Sequence, residues 1–229
     1  MSKTTVAHRI GQETVRREVI IEPLRLFGDL WIPARASSLV VFAHGSGSSR
    51  LSPRNVAVAG ALNQQGIATL LFDLLTHDEE LDRANVFDIP LLAERLIDVV
   101  GWLDRQPNLT DFRLGLFGAS TGAAAALVAA ARLGARVGAV VSRGGRPDLA
   151  DTALDEVTAP TLLIVGGHDA GVIELNERAY ARLRCRKSFE IIPGATHLFP
   201  EPGAMEAVIS FAAAWFKTYL EQPTRNQVR

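Results

Sequence analysis

The sequence predicts an α/β fold in one domain: a mostly parallel central sheet with helices on both faces. Three observations carry this expectation. Short apolar runs recur at residues 38–43, 67–72, 114–117, 137–141, 161–165 and 188–192, and most lack the polar alternation of a half-exposed strand, so they suit strands buried on both faces. Between them lie longer stretches whose apolar residues recur at steps of three or four, the helical period. Strands that alternate with helices pair in parallel, because each crossover helix lies across a face of the sheet.

Taken in order, residues 16–22 and 24–32 are β-rich and joined at Pro23, which predicts an opening hairpin that gives way at Pro33. The strand at 38–43 ends in the small-residue loop His44-Gly-Ser-Gly-Ser-Ser-Arg50. Ser52 then caps a helix with Pro53 at its first position, and Gly66 ends it. The strand at 67–72 ends at Asp73, and the polar residues 76–80 read as a solvated loop. Residues 87–106 form an amphipathic helix through Ile89, Leu92, Leu96, Val99 and Leu103, with Pro90 tolerable only in its first turn. Leu114, Leu116 and Phe117 run into Gly118-Ala-Ser-Thr-Gly122 and an alanine-rich helix closed by Gly134. The strand at 137–141 ends in Ser142-Arg-Gly-Gly-Arg146, and the one at 161–165 ends in Gly166-Gly-His-Asp169. A helix over 172–183 and a strand at 188–192 follow, the strand breaking at Pro193-Gly-Ala-Thr-His197. The last helix, about 205–219, carries Val208, Phe211, Ala212 and Trp215 on one face. Only about twenty residues separate the strands at 141 and 161, so no cap domain is expected and the site should be open.

Composition narrows the function classes. A chain of 229 residues and 24.7 kDa fits one domain. Apolar content of 48% with 21% charged residues suits a globular protein. A net charge of −1 gives no electrostatic basis for a nucleic-acid or anionic-membrane partner. One cysteine, Cys185, allows no intrachain disulfide, as suits the cytoplasm. There is no apolar segment of secretory or membrane-spanning character. A single cytoplasmic domain over residues 1–229 is expected, with about 15 N-terminal and about 9 C-terminal residues loosely ordered.

The chemistry-bearing residues all fall at carboxyl ends of strands, where ligands bind in such sheets. Gly118-Ala-Ser-Thr-Gly122 is a G-x-S-x-G in the strand–turn–helix context of a raised nucleophile, with glycines where strand and helix crowd. A serine hydroxyl needs a base to take its proton, and the base an orienting carboxylate. Downstream strand ends supply Asp169 and His197, in the order Ser, Asp, His. Asp73 also ends a strand and is the rival carboxylate. His168 neighbours Asp169 but should point to the opposite side, and His44 reads as a residue that fixes its loop.

On these motifs the chain resembles the α/β-hydrolases, and within them it is similar to the dienelactone-hydrolase-like proteins, from about residue 24 to 219. The resemblance rests on His44-Gly-Ser-Gly, Gly118-Ala-Ser-Thr-Gly122, Gly167-His-Asp169 and Gly194-Ala-Thr-His197. It implies Ser120 as nucleophile, His197 as general base and then acid, and Asp169 as its partner. It also implies an oxyanion hole from the backbone N–H groups of Thr121 and Ser46. Dienelactone hydrolases proper use a cysteine nucleophile and an arginine shortly after the histidine; here serine stands in the first place and Leu198-Phe-Pro-Glu-Pro202 in the second. Dienelactone itself is therefore not implied. Arg143, at a strand end, and Arg50, in the loop after His44, are candidates for an anion on the substrate, with a surface ion pair as the competing reading. The expected function is hydrolysis of a carboxylic ester, lactone or thioester on a small molecule. Acyl transfer by the same triad and a catalytically silent binding module are the alternatives. No metal or organic cofactor is expected: serine hydrolysis needs none, and His77 with Asp78 lacks companion ligands.

Overall fold

The structure, a computed structural model, describes residues 4–7 and 14–221. The expectation of loose ends falls largely outside these residues; within them, Thr4–Ala7 (β1) is a strand.

A nine-stranded sheet forms the centre, in the order β1-β2-β3-β5-β4-β6-β7-β8-β9. Strands β1, β2 (Thr14–Ile21) and β3 (Leu26–Pro33) are antiparallel to their neighbours, and β3 pairs antiparallel with β5 (Ala68–Phe72). The rest are parallel: β4 (Ser38–Ala43), β6 (Arg113–Ala119), β7 (Val137–Arg143), β8 (Thr161–Gly166) and β9 (Lys187–Ile192). Every residue of β4, β5 and β8 is buried, which is why their sequences run apolar without alternation.

Helices cover both faces. One layer holds α3 (Ile89–Asp104), α4 (Thr121–Leu133) and α5 (Ala170–Arg182). The other holds α1 (Pro53–Gln64) and α6 (Ala204–Leu220). The alanines of α4 follow from its position: Ala123 to Ala126 are fully buried between sheet and neighbours, where larger side chains would hold the helix off the strand.

Three details depart from the sequence expectation. Residues 76–80 are not all loop: His77–Glu80 (α2) is a single helical turn closed by a capping box between Thr76 and Glu79. The buried stripe of α6 runs through Ala204, Val208, Ala212, Phe216 and Leu220, leaving Phe211 exposed and Trp215 half-buried. The helix after Asp169 begins at Ala170 rather than at 172. No domain stands between β7 and β8; short 3₁₀ turns at Pro147–Asp155 fill the connection.

The chain leaves β4 for β5 on one side and returns to β6 on the other. The two exit loops therefore part at the carboxyl ends of β4 and β6, and the crevice between them is where such a sheet receives ligands.

Candidate active site

Ser120 sits between the end of β6 and the start of α4 with φ 52° and ψ −123°. This conformation costs a non-glycine residue about 1–3 kcal/mol, so its surroundings must impose it. The Ser120 N–H reaches the Arg143 carbonyl at 3.4 Å, and its carbonyl accepts from the N–H groups of Ala123 and Arg146, both at 3.1 Å. The flanking glycines are steric necessities. A Cβ on Gly118 would lie 2.4 Å from Ala123 Cα, and one on Gly122 would lie 2.4 Å from the Ala43 carbonyl oxygen. A Cβ on Gly45 would lie 2.9 Å from that of Ser120, so the loop after β4 rests directly on the serine.

The loops after β8 and β9 are clamped to each other by backbone. The Gly167 N–H donates to the Ile192 carbonyl at 2.8 Å and that of His168 to Ala195 at 2.9 Å. Gly166 permits this approach, since a Cβ there would lie 2.5 Å from the Ala195 oxygen. The clamp sets His197 against Asp169, with Nδ1–H donating to Oδ2 at 2.6 Å. In the neutral imidazole that bond selects the Nδ1–H tautomer, whose Nε2 can accept a proton. Neighbouring His168 is exposed.

Ser120 and His197 line one cavity of about 250 Å³, together with residues of the loop after β4 and of the start of α1. Asp73 is occupied elsewhere: it accepts from the backbone N–H of Arg50 at 2.8 Å and from its guanidinium at 2.6 Å. Arg50 Nε also donates to Asp29 at 3.1 Å. Burial nonetheless holds the Asp29 carboxyl above its ordinary range, against the pull of Arg50. Arg50 is thus neutralised by two carboxylates and does not line the cavity of Ser120. Arg143 does line it.

The two backbone groups expected to face an oxyanion belong to residues joined by a hydrogen bond. Thr121 opens α4, where its N–H has no partner within the helix. The Ser46 N–H donates to the Thr121 hydroxyl at 3.0 Å. His44 fixes the loop that carries Ser46: its Nδ1–H donates to the Gly45 carbonyl at 3.0 Å, and its Nε2 accepts from the Leu74 N–H at 3.1 Å. Burial holds this imidazole below its ordinary pKa, in the neutral form both bonds require.

Arg54 and Asn55, in the first turn of α1, also line the cavity and did not stand out in the sequence. Their one signal was position: they follow the cap and the N1 proline of a helix that starts beside the loop after β4. Arg143 donates to Asn55 Oδ1 at 3.1 Å. A larger cavity of about 530 Å³, lined by Leu51, Leu74, Leu75, Val86 and Leu92, shares Gly45, Ser46, Ser48 and Ser52 with the first. Among the described residues no three His, Cys, Asp or Glu side chains gather as a metal site, and no helix is long and apolar enough to cross a membrane.

A strained serine turn between β6 and α4, with an Asp–His pair from the ends of β8 and β9, is the arrangement of an α/β-hydrolase. The chain belongs to the dienelactone hydrolase family, whose model matches residues 34–220. It is similar to the crystal structure of a dienelactone hydrolase from Anabaena variabilis ATCC 29413, at 53% identity and a TM-score of 0.88, over 92% of this chain and 99% of that one. Est1E from Butyrivibrio proteoclasticus shares the fold at 18% identity and a TM-score of 0.73, over 90% of this chain and 99% of that one. A curated relative from Mycobacterium tuberculosis (strain ATCC 25618 / H37Rv), named a putative phosphoribosyl transferase, is 57% identical over 206 residues, or 90% of this chain. The chain spans about half the length of that relative, 46%.

Proposed function

We propose that the chain is a serine hydrolase that cleaves a carboxylic ester, lactone or thioester of a small molecule through an acyl-enzyme. Ser120 Oγ attacks the carbonyl as His197 Nε2 takes its proton, and Asp169 holds the imidazolium that results. The tetrahedral oxyanion receives the Thr121 N–H and the Ser46 N–H, the latter turning from the Thr121 hydroxyl as charge develops. His197 returns the proton to the leaving oxygen or sulfur, and water, deprotonated by the same imidazole, releases the acid. The observation that carries this reading is the 2.6 Å bond between Asp169 and His197, which lines the same cavity as the strained Ser120. The family's printed name and that of its Anabaena member agree with it.

Intact mass after exposure to a fluorophosphonate, followed by peptide mapping, tests the proposal. One adduct on Ser120, absent from Ser120→Ala, is expected. A folded wild-type protein that takes no adduct would remove the mechanism.

A further inference from the structure

Arg143 is only 6% exposed and carries a charge that no described carboxylate balances. Among the described residues its one side-chain partner is the neutral amide oxygen of Asn55, and its buried Nε has none. Arg54 stands close enough to repel it, also with an unpartnered buried Nε and with no ion pair among the described residues. Burial, then this repulsion, pushes the Arg143 guanidinium down to about 10, still charged at neutral pH. The contrast with the other partly buried arginines is sharp: Arg50, Arg95, Arg136 and Arg146 each sit within hydrogen-bond reach of a carboxylate. A buried charge without a counterion, beside a second charge of like sign, is costly.

A third source of positive potential points into the same cavity. Ser52, Arg54 and Asn55 form the start of the twelve-residue helix α1 and line the cavity. The Ser52 side chain makes no capping bond, and the N–H groups of Arg54 and Asn55 have no partner within the helix. The helix end adds roughly half a positive charge.

We propose that this corner binds a phosphate monoester dianion carried by the substrate, so that the ester or lactone cleaved at Ser120 bears a phosphate on its acyl or alcohol part. The charge count selects the dianion: two guanidinium groups and a helix N-terminus exceed what one carboxylate neutralises. The geometry of the donors agrees, since phosphate offers oxygens to both guanidinium groups and to the helix N–H groups at once. The shared cavity is small, about 250 Å³, so the phosphate lies a few bonds from the reacting carbonyl. As a statement about substrate, this rests on the serine-hydrolase reading; as a statement about an anion site, it does not.

The test therefore has two arms. Inorganic phosphate and acetate are titrated calorimetrically at pH 8 and constant ionic strength into wild type, Ser120→Ala, Arg54→Gln and Arg143→Gln. Phosphate is expected to bind wild type and Ser120→Ala alike, and acetate far more weakly. Arg54→Gln should weaken phosphate by about tenfold or more, the worth of one charge-assisted contact. Arg143→Gln should weaken it further; if that variant does not fold, the half-exposed Arg54 decides alone. Acetate bound as tightly as phosphate, phosphate affinity unchanged in Arg54→Gln, or no phosphate binding would each overturn the proposal. In the second arm, kcat/KM for acetoxyethyl phosphate should exceed that for methoxyethyl acetate by about 100-fold, two such contacts. Arg54→Gln should cut that preference about tenfold; equal turnover of both esters would overturn the substrate assignment. Fluorophosphonate labelling of Ser120 reports on the hydrolase reading by itself, so either idea can fail without the other.

Discussion

Replacing Gly122 by alanine should both unfold the molecule more easily and silence it. The new Cβ would lie 2.4 Å from the Ala43 oxygen and 2.5 Å from the His44 oxygen, where ordinary contact begins at 3.4 Å. Relief therefore needs a displacement of about 1 Å between α4 and the end of β4, a large strain for a close-packed interior. Both obstructing atoms are backbone, so no rotamer change supplies it, and β4 is held on each side by β5 and β6. Overpacking of this kind costs about 3 kcal/mol, the upper part of the usual range. For a domain of this size that lowers Tm by about 6–12 °C. The same displacement carries Gly45 and Ser46 away from Ser120, and misplacement of about 1 Å costs about 100-fold in turnover. Gly60 is the control: it lies inside α1, and a Cβ there meets nothing within 4 Å. Gly60→Ala should stabilise by about 0.5–1 kcal/mol through helix propensity. Thermal melts and hydrolysis of p-nitrophenyl acetate measure both. If Gly122→Ala melted with the wild type and kept its turnover, the packing of α4 on β4 derived above would be wrong.

The two strand-end carboxylates should separate in kinetics. Asp169→Asn should lower kcat by about 10⁴-fold, the effect of losing the orienting acid of a triad, while Asp73→Asn, which loses only its bond to Arg50, should stay within about tenfold. The reverse ranking in kcat for p-nitrophenyl acetate would make Asp73 the acid. The depressed pKa of His44 sets a pH dependence. The unfolded chain protonates this histidine near its ordinary 6.5 and the folded one only at lower pH, so the unfolded state binds more protons in between. Its contribution to stability is therefore fully present above pH 6.5 and lost as pH falls through the folded value. Urea melts between pH 7.5 and 5 should show this loss for wild type and a shallower slope for His44→Gln; parallel slopes would remove His44 from the account. Thr121→Val removes a bond that the Ser46 N–H gives up as the oxyanion forms, so kcat should not fall; a loss of about tenfold would show that the Thr121 hydroxyl is needed in the transition state as well.

Much of this protein is legible in the chain alone, for a physical reason: the signals are local. A strand buried on both faces can hardly carry polar residues, so the interior strands announce themselves. A sharp strand–helix turn needs small residues where the chain crowds itself, so Gly118 and Gly122 bracket Ser120. Chain order alone ranked Asp169 over Asp73. Where a local signal was present and passed over, as in Thr76-x-x-Glu79, a helical turn was read as loop.

Only the tertiary structure decided which charges meet. Arg50 and Arg143 look alike in sequence, each beside a strand-end loop, yet Arg50 falls against Asp29 and Asp73 while Arg143 is buried without a carboxylate. Arg54 drew no notice at the start of a helix, and it faces Arg143 because β4 and β7 both flank β6, not through any proximity in the chain. Likewise, the bond from Ser46 to Thr121 spans 75 residues. Electrostatic pairing depends on distances of a few ångströms between segments far apart in sequence, and those distances exist only once the sheet order has been set.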